Sequence, residues 1–186
     1  MNKNIVVLGS SNTDMIVKMD RMPHLGETVI GGQFSMVPGG KGANQAVAAA
    51  RAGGKVTFIA RIGNDMFGEE AFKGFIRDNI NVDYLIRDEN APSGIALIFV
   101  DKNGQNSIAV ASGANANLTP ADVENAKNVI STADILLMQL ETPIAAVKRA
   151  AEIAAVNKVK VILNPAPAQT LDEDLMVCLL YTSDAA

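Results

Sequence analysis

The segment PGGKGANQAVAAARAGGKVTFIA, residues 38–60, decides the fold class. Glycines at 39, 40 and 42 flank Lys41 and let the backbone turn tightly and come close to a ligand. The Ala-rich run over residues 43–52 has strong helix propensity, and Gly53-Gly54 marks its C-terminal cap. Residues 55–60, with Val56, Phe58 and Ile59, read as a short buried strand. Loop, helix and strand follow one another without a linker, which is a unit of an alternating α/β chain.

The same alternation extends both ways. Upstream, residues 4–8 are apolar and β-branched and stop at Gly9-Ser10, a buried strand. Residues 13–19 and 28–37 read as two further strands, the second bent at Gly31-Gly32. Downstream, Phe67, Ala71, Phe75 and Ile76 recur at helical spacing over residues 67–79. Residues 82–86 are extended. Residues 95–100 and 107–111 are strands joined by Asp101-Lys102-Asn103-Gly104, a hairpin signal. Thr119-Pro120 opens a helix to about residue 130. A strand over 134–140, a helix over 143–157 and a strand over 159–163 complete the pattern, stopped by Asn164-Pro165. This predicts an α/β fold with a mostly parallel sheet. The strand pairs within residues 13–37 and 95–111 break the alternation and are expected to form an antiparallel flap beside the main layer.

A chain of 186 residues fits one domain, and 48% hydrophobic against 19% charged residues is enough to pack a core. The net charge of −4 and the lack of a basic stripe argue against nucleic acid as a partner. The apolar run at residues 5–8 is too short for a signal peptide or a membrane span, so a cytoplasmic protein without membrane association is expected. The single cysteine, Cys178, excludes an internal disulfide.

Chemistry concentrates at Gly39-Gly40-Lys41-Gly42-Ala43-Asn44. A helix beginning just after clustered glycines is expected to offer free N–H groups and a positive dipole end, with Lys41 and Asn44 as directed donors. The spacing is not that of a phosphate-binding P-loop. Gly9 followed by Ser10-Ser11-Asn12 is not a dinucleotide fingerprint either.

Gly39, Gly40, Gly42, Asn44, Ala46, Gly53 and Gly63 together resemble the first signature of the phosphofructokinase-B-type sugar kinases. Gly9-Ser10-Ser11-Asn12-Thr13-Asp14, the run from Gly39 to Ala46, Gln139-Leu140-Glu141-Thr142-Pro143 and Leu163-Asn164-Pro165-Ala166-Pro167-Ala168 resemble the ribokinase-type members, in the same order. The resemblance implies a three-layer α/β/α fold, with a mostly parallel central sheet and a small antiparallel β lid. Residues 1–177 would be the N-terminal part of that one domain. It implies ATP-dependent phosphorylation of D-ribose at O5, with Mg2+ and a monovalent cation, K+, as further cofactors and a homodimer formed through the lid. Asn12, Asp14, Gly40, Lys41, Gly42, Asn44 and Glu141 match the positions that bind the sugar.

Related substrates, namely deoxyribose, fructose or a nucleoside, stay open, as does a fragment that binds sugar without turnover or that aggregates through an unpaired sheet edge. Each site residue also has a plainer reading: a strand-end turn for Asn12 and Asp14, a solvated charge for Lys41, a helix start for Glu141-Thr142-Pro143. The chain contains no Gly-Ala-Gly-Asp segment, where the family keeps its catalytic Asp, and no counterpart of the nucleotide site, so the isolated chain is expected to be inactive. Residues 178–186, Cys-Leu-Leu-Tyr-Thr-Ser-Asp-Ala-Ala, depart from the family pattern. One back-translation of them resembles a transposase adapter used in sequencing libraries, and they are expected to be a foreign tail.

Overall fold

The computed structural model describes residues 2–179 and the backbone of Tyr181 and Thr182. The elements in chain order are β1 (Asn4–Leu8), β2 (Asn12–Lys18), β3 (Gln33–Gly39), α1 (Lys41–Arg51), β4 (Lys55–Gly63) and α2 (Met66–Arg77). They continue with β5 (Leu85–Asp88), β6 (Gly94–Val100), β7 (Asn106–Ala111), a 3-10 turn (Gly113–Asn117), α3 (Pro120–Asn125) and α4 (Lys127–Ser131). Last come β8 (Ile135–Met138), α5 (Ile144–Val156), β9 (Lys160–Leu163), α6 (Glu173–Met176) and β10 (Tyr181–Thr182).

The main sheet runs β10-β9-β8-β1-β4-β5, with every neighbouring pair parallel. Alternation along each strand feeds two cores. Val6 and Leu8 of β1 pack with Ile59, Leu136, Met138, Val161 and Leu163 beneath α3, α4 and α5. Val7 points the other way, with Val56, Phe58 and Ala60, against Ala43 and Ala46 of α1 and Phe75 of α2. Phe58 and Phe75 meet edge to face at 5.1 Å between ring centroids. Helices therefore cover both faces, the expected three-layer arrangement. No helix among the described residues is long and apolar enough to cross a membrane.

A second sheet, β3-β2-β6-β7, stands beside the first. Its outer pairs, β2 with β3 and β6 with β7, are antiparallel as expected. The central seam, β2 with β6, is parallel, with Asn12 opposite Gly94. Chain direction explains the seam. The polypeptide leaves the body twice, at Ser11-Asn12 and at Ser93-Gly94, each time heading the same way, and each excursion returns as its own hairpin.

Several spans differ from the sequence reading, among them residues 83–84, which turn, so the extended piece read over 82–86 begins at Leu85. Residues 28–32 are not strand, because Gly31 adopts φ +105°, so β3 starts only at Gln33. The helix expected to begin at residue 43 begins at Lys41, with Gly40 as its N-cap. The helix expected over 119–130 breaks into α3 and α4 at Ala126, whose N–H bonds the carbonyl of Val123. At the C-terminal end, Cys178 and Leu179 pack partly against the core beneath α5, and the Cys178 thiol lies 3.3 Å from the Asp174 carbonyl. Tyr181 and Thr182 extend the main sheet beside β9. Of the tail expected to be foreign, Leu180 and residues 183–186 lie outside the described residues.

Candidate functional site

The site forms where β1, β3 and β8 end and β2 and α1 begin. This is the carboxyl edge of the parallel sheet, where α/β folds place ligands. Ser10 follows the end of β1 by two residues, and Glu141 follows that of β8 by three. Parallel pairing of β1 with β8 brings them together although 131 positions separate them.

Glu141 is the hub. Its Oε2 accepts from the Ser10 hydroxyl at 2.5 Å and from the Lys41 backbone N–H at 2.8 Å. Its Oε1 accepts from Lys41 Nζ at 2.9 Å. The Lys41 side chain is 39% exposed and that of Glu141 15%, so the pair is half-buried and opens to one side. Burial alone would raise the Glu141 carboxyl, but the Ser10 hydroxyl, the Lys41 amide and the Lys41 ammonium outweigh it and hold the group below its usual range. Glu141 thus does cap a helix, but α1 rather than the α5 that follows it in sequence, whose N-cap is Pro143. A carboxylate at that end also complements the helix dipole.

This corrects one expectation. The first N–H groups of α1 are not free for a ligand. Lys41 N–H goes to Glu141, Gly42 N–H to the Ser10 hydroxyl at 3.3 Å, and Ala43 N–H to the Ser10 carbonyl at 2.8 Å. The loop instead presents the Lys41 ammonium, anchored by its own helix start.

The glycines serve close approach. Gly40 takes φ +89°, and a Cβ there would stand 2.8 Å from the Asn12 backbone nitrogen. A side chain at Gly42 would place its Cβ 2.5 Å from the Ser10 nitrogen. At Gly39 a Cβ would overlap the Asp14 carboxylate, so Asp14 lies flat against that glycine. Asp14 is half-buried, and its carboxyl is raised above the ordinary value, first by burial and then by repulsion from Glu141, with Lys41 partly opposing. Asp14, Lys41 and Glu141 therefore share one electrostatic neighbourhood.

Asn12 is buried and its Oδ1 accepts from Nδ2 of Asn115 at 2.7 Å. Asn44 sits apart. It is exposed on the first turn of α1 and lines, with Asn12 and Gly39, a cleft of about 740 Å³ walled by Met36, Val47 and Phe67. Asp14, Lys41 and Glu141 lie outside that lining. Of the seven residues singled out from sequence, six converge at the strand ends and Asn44 borders them.

The sequence reading missed three participants. Ser10 stood inside the quoted Gly9-Ser10-Ser11-Asn12 run, and a hydroxyl just past a buried strand was an available signal. Gln139, buried at the end of an apolar strand, was another. Its Nε2 donates to Gln45 Oε1 at 2.6 Å, and its Oε1 rests over Gly9 without a partner among the described residues. Asn115 lies in the 3-10 turn more than a hundred positions from Ser11, and nothing local marks it.

Comparison with known proteins bears on this geometry. The family model described as pfkB family carbohydrate kinase matches residues 2–183. A ribokinase of Haemophilus influenzae is 45% identical over 95% of this chain and 58% of its own length. A deoxyribokinase of Salmonella typhi is 38% identical over 89% of this chain and 54% of its own. The solved structure of Arabidopsis thaliana ribokinase complexed with ribose and ATP superposes with a TM-score of 0.83 at 31% identity, covering 96% of this chain and 59% of that one. The chain thus spans somewhat over half the length of these three relatives. With the family model running almost from end to end and the three-layer fold with its side sheet in place, this chain belongs to the pfkB family of carbohydrate kinases.

Proposed function

We propose that this chain supplies the sugar-hydroxyl half of a site for ATP-dependent phosphorylation of D-ribose at O5, in the manner of ribokinase. One observation carries the reading: Asp14, Lys41, Glu141 and Asn12 gather at the sheet's carboxyl edge beside a two-hairpin lid, a set of short acceptors and donors suited to a polyol. Asp14 accepts from hydroxyls and Lys41 donates to them. Ser10 and Glu141 hold Lys41 in place.

The nucleotide and the catalytic base are assigned to no residue here. Among the described residues no group of three His, Cys, Asp or Glu side chains could hold a metal ion. Both oxygens of Glu141 are already engaged by Ser10 and Lys41. Mg2+ and K+, like ATP, are therefore proposed for the longer parent enzyme, with no ligand among the described residues. The lid is the proposed homodimer element, since it leaves apolar side chains exposed on both its faces, Ile108 and Val110 on the face that carries Asp14 and Phe34 and Met36 on the other. A cytoplasmic location fits the same reading.

Calorimetric titration of the 186-residue chain with D-ribose, 2-deoxy-D-ribose, D-fructose and adenosine is the direct test. Ribose is expected to bind tightest, and a coupled assay with ATP is expected to show no ADP release above buffer. Tighter binding of 2-deoxy-D-ribose would reassign the substrate, a possibility the deoxyribokinase relative keeps in view. A folded chain that binds none of the four would remove the sugar site, and ribose phosphorylation would place a base within these residues.

The raised Asp14 carboxyl sets the pH dependence. Its ionised form is the hydroxyl acceptor, so affinity is full above its folded pKa and falls as pH drops through it. That loss is expected at higher pH than an ordinary aspartate would give. Asp14→Ala is expected to weaken binding by a few kcal/mol, about 2–3, and to flatten this acid limb. An acid limb that survives in Asp14→Ala would assign it to another group.

A further inference from the structure

We infer that Asn115 is a positioning residue that fixes which end of the Asn12 amide faces the substrate, so that Asn12 presents only a hydrogen-bond donor to the sugar. The inference rests on the sugar-site reading above.

An amide side chain can be turned over without changing its shape, so its polarity follows from its partners. Here the partners begin with backbone groups whose polarity is fixed. Ser11 N–H can only donate, and it points at Asn115 Oδ1 at 2.9 Å. Ser11 C=O can only accept, and it faces Asn115 Nδ2 at 3.2 Å. The Asn115 amide thus pairs with the Ser11 peptide as a neighbouring strand would, and turning it over would set donor against donor and acceptor against acceptor. Its second Nδ2 hydrogen is left for Asn12, 2.7 Å away, and the atom that meets it must be Oδ1. Asn12 Nδ2 is then directed away from Asn115 and has no partner among the described residues, yet it is not sealed off. Fixed polarity passes from the Ser11 peptide, through Asn115, to the substrate-facing atom of Asn12.

The surroundings hold this relay rigid. Asn115 is 2% exposed. Gly94, where β6 leaves the body, lies over the Asn115–Asn12 bond, and a Cβ there would overlap both Asn115 Nδ2 and Asn12 Oδ1. Asn117, two residues further along the turn, donates to Asp88 at 2.8 Å, and Asp88 also accepts from Arg61 at 3.1 Å. The turn carrying Asn115 is therefore tied to the main sheet, while Asn12 starts the lid. A donor at Asn12 complements Asp14, which only accepts, and the pair suits adjacent hydroxyls that each give and take one hydrogen.

Amide hydrogen exchange on the 15N-labelled chain reads the orientation without any substitution. The Asn115 side-chain NH2 is expected to be protected and that of Asn12 to exchange freely until ribose is added. An Asn12 NH2 already protected in the free chain would overturn the inference. Asn115→Asp keeps the acceptor for Ser11 N–H but removes the donor, so Asn12 should turn to donate to the introduced carboxylate. Its NH2 should become protected without ribose, and ribose affinity should drop about ten- to a hundredfold. In an Asn12→Ala background the same substitution should cost no further affinity. An undiminished loss there would make Asn115 merely structural and overturn the inference. If the wild-type chain shows the exchange contrast but no response to ribose, the Asn12 orientation stands and the ribose reading falls.

Discussion

Glu141→Gln is expected to remove measurable ribose binding and to lower the melting temperature by about 5–15 °C, which corresponds to about 2–4 kcal/mol for a chain of this size. The two side chains have the same shape, so packing is kept and only charge and hydrogen bonding change. The carboxylate accepts from three donors, namely the Ser10 hydroxyl, the Lys41 amide and the Lys41 ammonium. A glutamine has one acceptor oxygen, and its NH2 would have to face one of those donors. An unmatched donor in a half-buried site is costly, and an ammonium without its counter-charge more so. Freed from Glu141, Lys41 still feels the Asp14 carboxylate, and a shift towards it would take the ammonium from the position proposed for sugar contact. Calorimetry with ribose and thermal unfolding measure both effects, and a variant equal to wild type in both would remove Glu141 from the hub.

The pH dependence adds a sign. Glu141 is depressed in the folded chain, so its stabilising contribution is complete above its ordinary, unfolded value and is lost as pH falls towards the depressed one. The acid limb of stability in the wild type should therefore shrink in Glu141→Gln. Glu141 is also the second cause of the raised Asp14 carboxyl, after burial. Neutralising it should move the acid limb that Asp14 governs to lower pH in any variant that retains some affinity.

Gly42→Ala is expected to destabilise the chain by about 3 kcal/mol or more, a large effect for one methyl group. The added Cβ would stand 2.5 Å from the Ser10 nitrogen and 2.7 Å from the Gly9 carbonyl carbon and the Ser10 oxygen. All three are backbone atoms at the end of a buried central strand and cannot swing aside. The start of α1 would have to lift, breaking Ala43 N–H to Ser10 C=O and Lys41 N–H to Glu141. Gly74→Ala is the fitting control. That glycine lies in α2, and a Cβ there meets only the far end of Arg77 at 3.7 Å. It should stabilise by about 0.5–1 kcal/mol, as alanine does in an unobstructed helix. Chemical unfolding of the two variants side by side decides the matter, and equal stabilities would mean that the close approach at Gly42 is not rigid.

Much of this molecule could be read from local pattern. The apolar, β-branched runs at 4–8, 55–60 and 159–163 are the strands of a parallel sheet buried on both faces, because such strands leave no polar side to hide. Thr119 and Asp122 form a capping box, and the Thr-Pro start of that helix was visible in sequence. The break at Ala126 was not, because no glycine or proline marks it. The lid's two hairpins followed from alternation and an Asn-Gly turn, but each hairpin is silent about its neighbour. The parallel seam between β2 and β6 depends on how two excursions leave the body, which is a property of the whole chain path.

For the site, the amino-acid sequence by itself determined part of the cast, leaving out Ser10, Gln139 and Asn115. The glycine cluster requires close backbone approach. Asn12, Asp14, Lys41 and Glu141 supply complementary donors and acceptors, and their order along the chain matches one family of sugar kinases. Only the tertiary structure decided who faces whom. Glu141 caps α1 rather than α5, the helix start is closed rather than open, and the Asn12 side-chain oxygen accepts from Asn115. The physical reason is range. Propensity and periodicity act over a few residues, whereas hydrogen bonds and charges act between groups that the sheet brings within 3 Å across a hundred or more positions.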